Sequence, residues 1–426
     1  MTHSSSSAHQ PAAARSRPTG LDPRAMLLGL ALLFFVPTAW AQQMPSSVEI
    51  GGQVRQRSQL DDKSFASGAT ADDFHELRTR LNLGFTPVER VKAFVQIQDS
   101  RRFGNGSGTL SPPTNTFDLH QAYFKLNGLF DTPVSLKLGR QQLVYGNQRL
   151  VGAVGWHPRG RAFDGAVLAY DTDATSVDVF AARLAPGFSG TTASGEGSNN
   201  LLGVYSTWTV AESQTLEVFA LLDNNTRDVG DETALTRFTP GVTLKGGFSQ
   251  VSYTLEGAYQ GGDSAGQTIS ATLLSAKADY TFDASRSPSV GAGYTRLSGD
   301  ADPTDDELGT FNTLFATNHK FYGYMDYFLS IPNQAARGLQ DAHITASTSV
   351  TEKFGVSAKV HHFMETAAPS GGSTEAYGQE VDLTFSYQFA DPVSVTVGTS
   401  AFFPGDAQAP NGDTAYWGYV MTSVNL

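Results

Sequence analysis

Polar and apolar residues alternate with a period of two along many short segments of this chain. In residues 75–85, for example, Leu81 and Leu83 fall on one face, and Arg78 and Arg80 fall on the other. Successive side chains of a β-strand point to opposite faces, so this alternation predicts strands with one apolar and one polar face. The same pattern recurs in residues 48–60, 90–100, 394–402 and 415–426.

The number and spacing of these segments favour one architecture. Along the whole chain, this alternation predicts an all-β fold of about 18 strands (16–18). The connections between the strands mostly alternate between short and long. Short ones include 129–133 and 390–393, and a long one is 300–317. No repeat of propeller-blade length is present, and a soluble sandwich rarely needs so many long strands. We therefore predict a transmembrane antiparallel β-barrel, because lipid tolerates only helices and closed sheets.

A transmembrane barrel also places its polar residues inside and its apolar residues against lipid. Four arginines recur in pairs on the faces opposite the leucines: Arg55, Arg57, Arg78 and Arg80. An arginine facing hydrocarbon would cost ~2–4 kcal/mol near the bilayer midplane, so these side chains are predicted to point into the lumen. Aromatic girdles are expected at both interfaces. Candidates are Tyr123, Phe124, Trp208, Tyr253, Tyr280, Tyr294, Tyr387, Trp417 and Tyr419.

The N-terminal sequence has the pattern of an export signal. The apolar run AMLLGLALLFFV follows three arginines and precedes the small-residue sequence AWA. This run is shorter than the ~20 residues that a membrane-spanning helix needs, and A-x-A is a cleavage pattern. We predict a signal peptide at 1–41 and a barrel at 42–426, located in the bacterial outer membrane. An uncleaved membrane anchor is the alternative.

Composition narrows the classes of function. The chain has 41 acidic and 29 basic side chains, net −12; without residues 1–41, which hold three Arg and one Asp, 40 and 26 remain, net −14. An acidic chain argues against a nucleic-acid partner. The absence of Cys excludes disulfides, thiol nucleophiles and Cys-ligated metals. No catalytic triad order, nucleophile elbow or carboxylate pair is evident, so no enzyme activity, cofactor or metal site is predicted.

One Gly-rich stretch, YGNQRLVGAVGWHPRGRAFDG at 145–165, is unusually basic for this acidic chain. Residues 135–146 are predicted as the strand that leads into it. P-loop spacing is absent, and His157 lacks a second ligand at a usual metal-site spacing. Two interpretations remain open: a solvated surface loop, or a loop that folds inward as a cationic constriction. Its basic residues are Arg149, His157, Arg159 and Arg161.

Longer motifs add a resemblance. LHQAYFKL…VSLKLGRQQLVYGNQRLVGAVGWHPRGRAFDGAVLAY, FNTLFATNHKFYGYMDYF and EVDLTFSYQF are similar to segments of the alginate export family of bacterial outer-membrane porins. The resemblance extends from about residue 48 to the C-terminus. It implies an 18-stranded outer-membrane barrel that exports a polyuronate through an arginine-rich, electropositive channel. Its matched positions are Arg140, Arg149, Arg159, Arg161, Asp164, His319 and Lys320.

One matched position conflicts with strand alternation. Arg140 has the same parity as Leu136 and Leu138, so it reaches the lumen only if a bulge at Gly139 turns it inward. Otherwise it lies at the polar rim. Both interpretations are left open by the sequence.

Together these features predict a porin for an anionic solute. A polyuronate carries one carboxylate per sugar, and spaced arginines bind carboxylates bidentately without holding the chain too tightly. We expect passive passage of an alginate-like polyuronate through a monomeric barrel surrounded by lipid and lipopolysaccharide, with a periplasmic export partner. The alternatives are a general or small-anion porin and a loop-plugged structural barrel without transport.

Overall fold

A computed structural model describes residues 47–103, 114–184, 199–225, 234–368 and 372–426. The predicted signal peptide lies outside these residues. None of the helices in the described ranges is long and apolar enough to cross a membrane. The strands are β1 (Ser47–Asp62), β2 (Asp72–Val88), β3 (Val91–Phe103), β4 (Thr114–Leu129), β5 (Val134–Gln141), β6 (Phe163–Asp171), β7 (Thr175–Arg183), β8 (Asn199–Ala211), β9 (Gln214–Asn225), β10 (Leu235–Phe248), β11 (Val251–Ser264), β12 (Gln267–Thr281), β13 (Ser289–Leu297), β14 (Glu307–Leu308), β15 (Leu339–Ser349), β16 (Phe354–Met364), β17 (Ala376–Ala390), β18 (Val393–Pro404) and β19 (Ala415–Asn425).

Eighteen of the described strands close into an antiparallel barrel. β1 pairs with β2 on one side and with β19 on the other, so Arg55 lies opposite both Arg78 and Ser423. The nineteenth, β14, is a two-residue strand that pairs in parallel with β12 from a connecting loop. Closure leaves no barrel strand with a free edge, as a sheet in lipid requires. The predicted fold class and strand number are confirmed.

The two faces of the wall differ as a membrane barrel requires. On the outer face Ile50 is 72% exposed and Leu81 is 46% exposed. On the inner face Arg57 and Arg78 are 3% and 4% exposed. The apolar outer residues have no protein over them because that face meets lipid, whereas the polar inner residues are covered by material inside the barrel.

Two long connections between strands fold into the barrel and cover these inner residues. Residues 142–162 follow β5 and residues 298–338 follow β13; we call them the first and second inward loops. They pack on each other through a parallel bridge between Val151 and Phe315. A hydrogen bond from Gly152 N–H to Phe315 O (2.9 Å) extends this contact. The buried core shared by the loops and the inner wall includes Leu150, Val151, Phe311, Tyr322, Met325 and Phe328.

The two-residue turn 265–266 lies at the rim of the long loops, and the other short connections lie together at the opposite rim of the barrel. They are 89–90, 130–133, 172–174, 212–213, 249–250, 282–288, 350–353 and 391–392. We call this the short-turn rim. In transmembrane barrels short turns are typical of the periplasmic side.

Three details of the sequence prediction are wrong. β5 ends at Gln141 and not at residue 146, because the chain turns inward there and Tyr145 N–H bonds Val151 O within the loop. The second inward loop is longer than the predicted connection 300–317. Trp417 and Tyr419 belong to no girdle: alternation along β19 turns them inward, where they are 2% and 8% exposed.

Candidate functional site

The arginines of β1 and β2 hold the first inward loop by its backbone. Arg55 donates from Nη1 to Gly155 O (2.8 Å) and from Nη2 to Trp156 O (2.9 Å). Arg78 donates from Nη1 to Gly155 O (3.0 Å), and Arg57 donates from Nη1 to Trp156 O (3.2 Å). Buried guanidinium groups need hydrogen-bond acceptors, and the loop turn presents its carbonyl oxygens to them. These arginines therefore position the loop.

Two neighbouring arginines extend this network along the wall. Arg57 also pairs with Glu76 through Nε (3.1 Å), which offsets the cost of burying its charge. Arg80 donates from Nε to Gln98 Oε1 (2.7 Å) and contacts His120 Nε2 from Nη2 (3.3 Å). Arg80 thus lies on the inner face with Arg55, Arg57 and Arg78.

The two inward loops are connected by Arg161. Its Nη1 donates to Phe315 O and to Ala316 O, the latter at 3.2 Å. Burial lowers the pKa of Arg161 to about 10, so the guanidinium remains charged at neutral pH. Thr317 N–H adds a bond to Gln148 O (3.0 Å). The loops form one unit inside the barrel.

An aromatic contact closes the same junction. The rings of Trp156 and His319 are stacked with centroids 4.4 Å apart, and Tyr324 stacks on His319 at 5.2 Å. His319 Nδ1 bonds Asp326 Oδ1 at 2.6 Å. His319, one of the positions matched by the resemblance to the alginate export family, is therefore enclosed between aromatic faces where the two inward loops meet.

Arg149 fixes the first inward loop to the opposite wall. Its Nε donates to Glu256 Oε2 (2.7 Å), Nη1 to Tyr322 Oη (3.1 Å) and Nη2 to Ser275 Oγ (3.2 Å). The guanidinium lies 4.1 Å from the centre of the Phe321 ring. Each of its nitrogens has a partner, so Arg149 is a structural cation.

A cavity of about 400 Å³ lies below the loops, towards the short-turn rim. Lys320 and Lys359 both line it, and they donate to backbone carbonyls, Asn147 O at 3.1 Å and Phe321 O at 3.2 Å. Within the described part of the chain neither forms an ion pair, whereas Lys277 pairs with Asp279 at 2.9 Å. We call this space the lysine cavity. Its lining also includes Arg149, Ser275, Thr295, Tyr324, Asp341 and His343.

The electrostatic environment of Lys320 reflects this crowding of cations. Burial lowers the pKa of Lys320, and Lys245, Arg149 and Lys277 lower it further. An anion in the cavity would relieve that repulsion.

The remaining predicted site residues are separate from the lysine cavity. Arg159 is exposed; its carbonyl accepts a bond from Gln98 Nε2 (2.8 Å), and its guanidinium has no hydrogen-bond partner among the described residues. Arg140 and Asp164 pair with each other at 2.8 Å on the outward-facing parity of β5 and β6. No register shift occurs at Gly139, so the structure does not bring this pair into the lumen.

Several residues of the site are absent from the sequence prediction. Lys277 and Lys359 lie on barrel strands, and Trp156 lies in the first inward loop. Strand parity could have identified Lys359, because it shares a face with the buried His361. Trp156 carries no comparable signal, since its role depends on contacts between distant loops.

Comparisons with known proteins agree with this architecture. The chain resembles OccAB4 of Acinetobacter baumannii, with a TM-score of 0.62 and 10% identity over 91% of this chain and 99% of that one. OccK8 (OprE) of Pseudomonas aeruginosa gives a TM-score of 0.61 and 14% identity over 89% and 98%. OprD of Pseudomonas aeruginosa, an outer-membrane protein, gives 0.58 and 13% over 91% and 95%. No curated protein matches the chain by sequence.

The alginate export family matches residues 46–420, which is most of the chain. Family and fold together support an outer-membrane channel in contact with membrane lipid, and they point away from an enzyme. The protein belongs to the alginate export family.

Proposed function

We propose that this channel passes an anionic, carboxylate-bearing solute, with an alginate-like polyuronate as the specific solute. The observation that carries the proposal is the pair Lys320 and Lys359. Both face the lysine cavity, and neither forms an ion pair among the described residues. In a chain of net charge −12, two cations left without ion pairs in a lumen cavity provide a local site for anions.

The cations of the lumen would then have two different roles. Arg55, Arg57 and Arg78 hold the constriction, because loop carbonyls already accept their donors. Lys320 and Lys359 would contact the solute. Lysine is a hydrated point charge that exchanges partners readily, which suits a polymer that must keep moving through the channel.

The position of the cavity bears on the direction of transport. Its lining includes Thr254 and Thr345, which lie in the halves of β11 and β15 nearer the short-turn rim, the side that is periplasmic in transmembrane barrels. A periplasmic export partner would deliver a polymer there, to a barrel acting as a monomer. The volume of about 400 Å³ falls within the ~300–1,000 Å³ of small-molecule sites, so it would hold a short stretch of polymer.

Single-channel recording in a planar bilayer tests this proposal. The refolded chain is measured for reversal potential in a salt gradient, then titrated with polyuronate and with a neutral glucan. We expect anion selectivity and block by polyuronate alone. The double variant Lys320→Gln, Lys359→Gln should lose most of the block, whereas Lys353→Gln in a short turn should retain it. Block that survives the double variant would refute the role of the lysine cavity.

A second candidate follows from a separate observation. The two inward loops share a buried core with the barrel wall, which favours a loop-plugged structural barrel. Inserted barrels without conductance would support that function. Anion selectivity with no response to either polymer would instead indicate a small-anion porin.

A further inference from the structure

A cluster of one carboxylate and two imidazoles lies on the inner face of β15 and β16. Asp341, His343 and His361 each offer a ligand atom, and these atoms lie within 4.8 Å of one another. Asp341 Oδ1 is 2.6 Å from His361 Nδ1, and Asp341 Oδ2 is 3.0 Å from His343 Nδ1. Asp341 is 1% exposed and His361 is fully buried. The function proposed above does not use this cluster.

A second observation concerns polar atoms without partners. His361 Nε2 and Asp382 Oδ2 are both buried, 3.9 Å apart, and neither has a hydrogen-bond partner. The other oxygen of Asp382 accepts a bond from Ser400 Oγ at 2.5 Å. Buried polar groups are nearly always bonded, so this unpaired couple needs an explanation.

We propose that Asp341, His343 and His361 bind one divalent transition-metal ion, and that zinc is the ion that fits best. One carboxylate and two imidazoles are a ligand set that zinc uses in proteins, whereas calcium and magnesium prefer oxygen ligands alone. Each histidine would bind through Nδ1, the atom that now lies next to Asp341.

Metal binding would also explain why His361 Nε2 and Asp382 Oδ2 are buried without hydrogen-bond partners. When the ion takes Nδ1 of His361, the ring proton moves from Nδ1 to Nε2, with no net change in proton number. That N–H then points at Asp382 Oδ2, and a small closure of the 3.9 Å gap makes a hydrogen bond. A metal-bound histidine usually donates its other N–H to a carboxylate in this way.

The wall also leaves space for the ring of the second histidine, His343. A side chain on Gly293 would place its Cβ 2.4 Å from His343 Nε2, so this glycine leaves the space that the ring occupies. Asp341 and His343 both line the lysine cavity. The ion would therefore enter from the cavity, and three protein ligands would leave one position open to it.

Charge in the surrounding wall is compatible with a divalent cation. Two carboxylates flank His361: its Nδ1 lies 2.6 Å from Asp341 Oδ1, and its Nε2 lies 3.9 Å from Asp382 Oδ2. Lys359 lies opposite Asp382 in the β16–β17 register. A divalent ion would offset the excess of negative charge.

Zinc titration of the full chain tests this site. Protein without an affinity tag is refolded in detergent, stripped with a chelator and titrated by calorimetry; visible absorption of bound Co²⁺ then reports the coordination geometry. We expect one ion per chain and a tetrahedral Co²⁺ spectrum. His343→Ala should weaken binding at least about tenfold, and Asp382→Asn should weaken it by about tenfold.

The adjacent histidine provides a matched control. His362 follows His361 on β16 but faces the other way, so His362→Ala should bind zinc as the unaltered chain does. Heat-modifiable mobility in electrophoresis checks that each variant forms a barrel. The absence of stoichiometric zinc binding, or equal binding by His343→Ala, would overturn the proposal. Equal weakening in His362→Ala would also overturn it.

Discussion

The indole of Trp156 stacks on the imidazole of His319, and the guanidinium of Arg57 lies 3.8 Å from the centre of the same indole. One side chain therefore joins three parts of the molecule: the barrel wall, the first inward loop and the second inward loop. Such contacts contribute roughly 0.5–1.5 kcal/mol for an aromatic pair and ~0.5–2 kcal/mol for a cation–π pair. The constriction depends on this junction.

We expect Trp156→Ala to loosen the constriction and leave the barrel intact. Removal of the indole deletes both contacts, so the loops should separate more often. Single-channel conductance should rise, with larger current fluctuations than in the unaltered protein. Trp208→Ala, on the outer face, is the matched control and should leave the conductance unchanged. Unchanged conductance in Trp156→Ala would show that the junction does not limit the pore.

Arg161 and Arg159 form a second matched pair, two residues apart in the first inward loop. Arg161→Met leaves the carbonyl of Ala316 without a buried donor, at roughly 1–3 kcal/mol, and leaves Phe315 O with only its bond from Gly152 N–H. We expect the second inward loop to become sensitive to limited proteolysis in this variant. Arg159→Met removes an exposed side chain and should leave proteolysis unchanged. Similar cleavage of both variants would contradict the structural role of Arg161.

Strand alternation predicts the wall of this protein well, because lipid outside and polar groups inside impose a strict period of two. It places Arg55, Arg57, Arg78 and Arg80 on the inner face, where the structure has them. Their partners were not predictable, since Gly155 and Trp156 approach from a distant loop. For Arg140 the sequence left two positions open, and the register without a shift at Gly139 favours the polar rim over the lumen.

That outward position makes a distinct prediction for Arg140. Its pair with Asp164 is partly exposed, and such ion pairs contribute about 0–1 kcal/mol. Arg140→Ala should therefore change the free energy of unfolding by no more than this, as measured by urea titration of the refolded barrel. The reversal potential in a salt gradient should not change. A clear loss of anion selectivity would mean that Arg140 reaches the lumen after all.

The lysine cavity should give the channel a pH dependence in the alkaline range. Burial, together with Lys245, Arg149 and Lys277, holds the pKa of Lys320 below the ordinary 10.5. As pH rises towards that value, Lys320 loses its proton before an exposed lysine does, and block by a polyuronate should weaken. The folded state also releases this proton before the unfolded state, so Lys320 should make the free energy of unfolding rise over the same window.

With rising pH, block by polyuronate should weaken while the free energy of unfolding rises. General alkaline damage would instead lower both, so the opposite signs identify the titration of Lys320. Block is measured by single-channel recording, and stability by urea titration at each pH. Lys320→Gln should abolish its share of both trends, and Lys353→Gln should keep them. A bound polyuronate favours the charged ammonium, so saturating polymer should move the loss of block to higher pH. A block that is independent of pH in the unaltered protein would exclude Lys320 from the anion site.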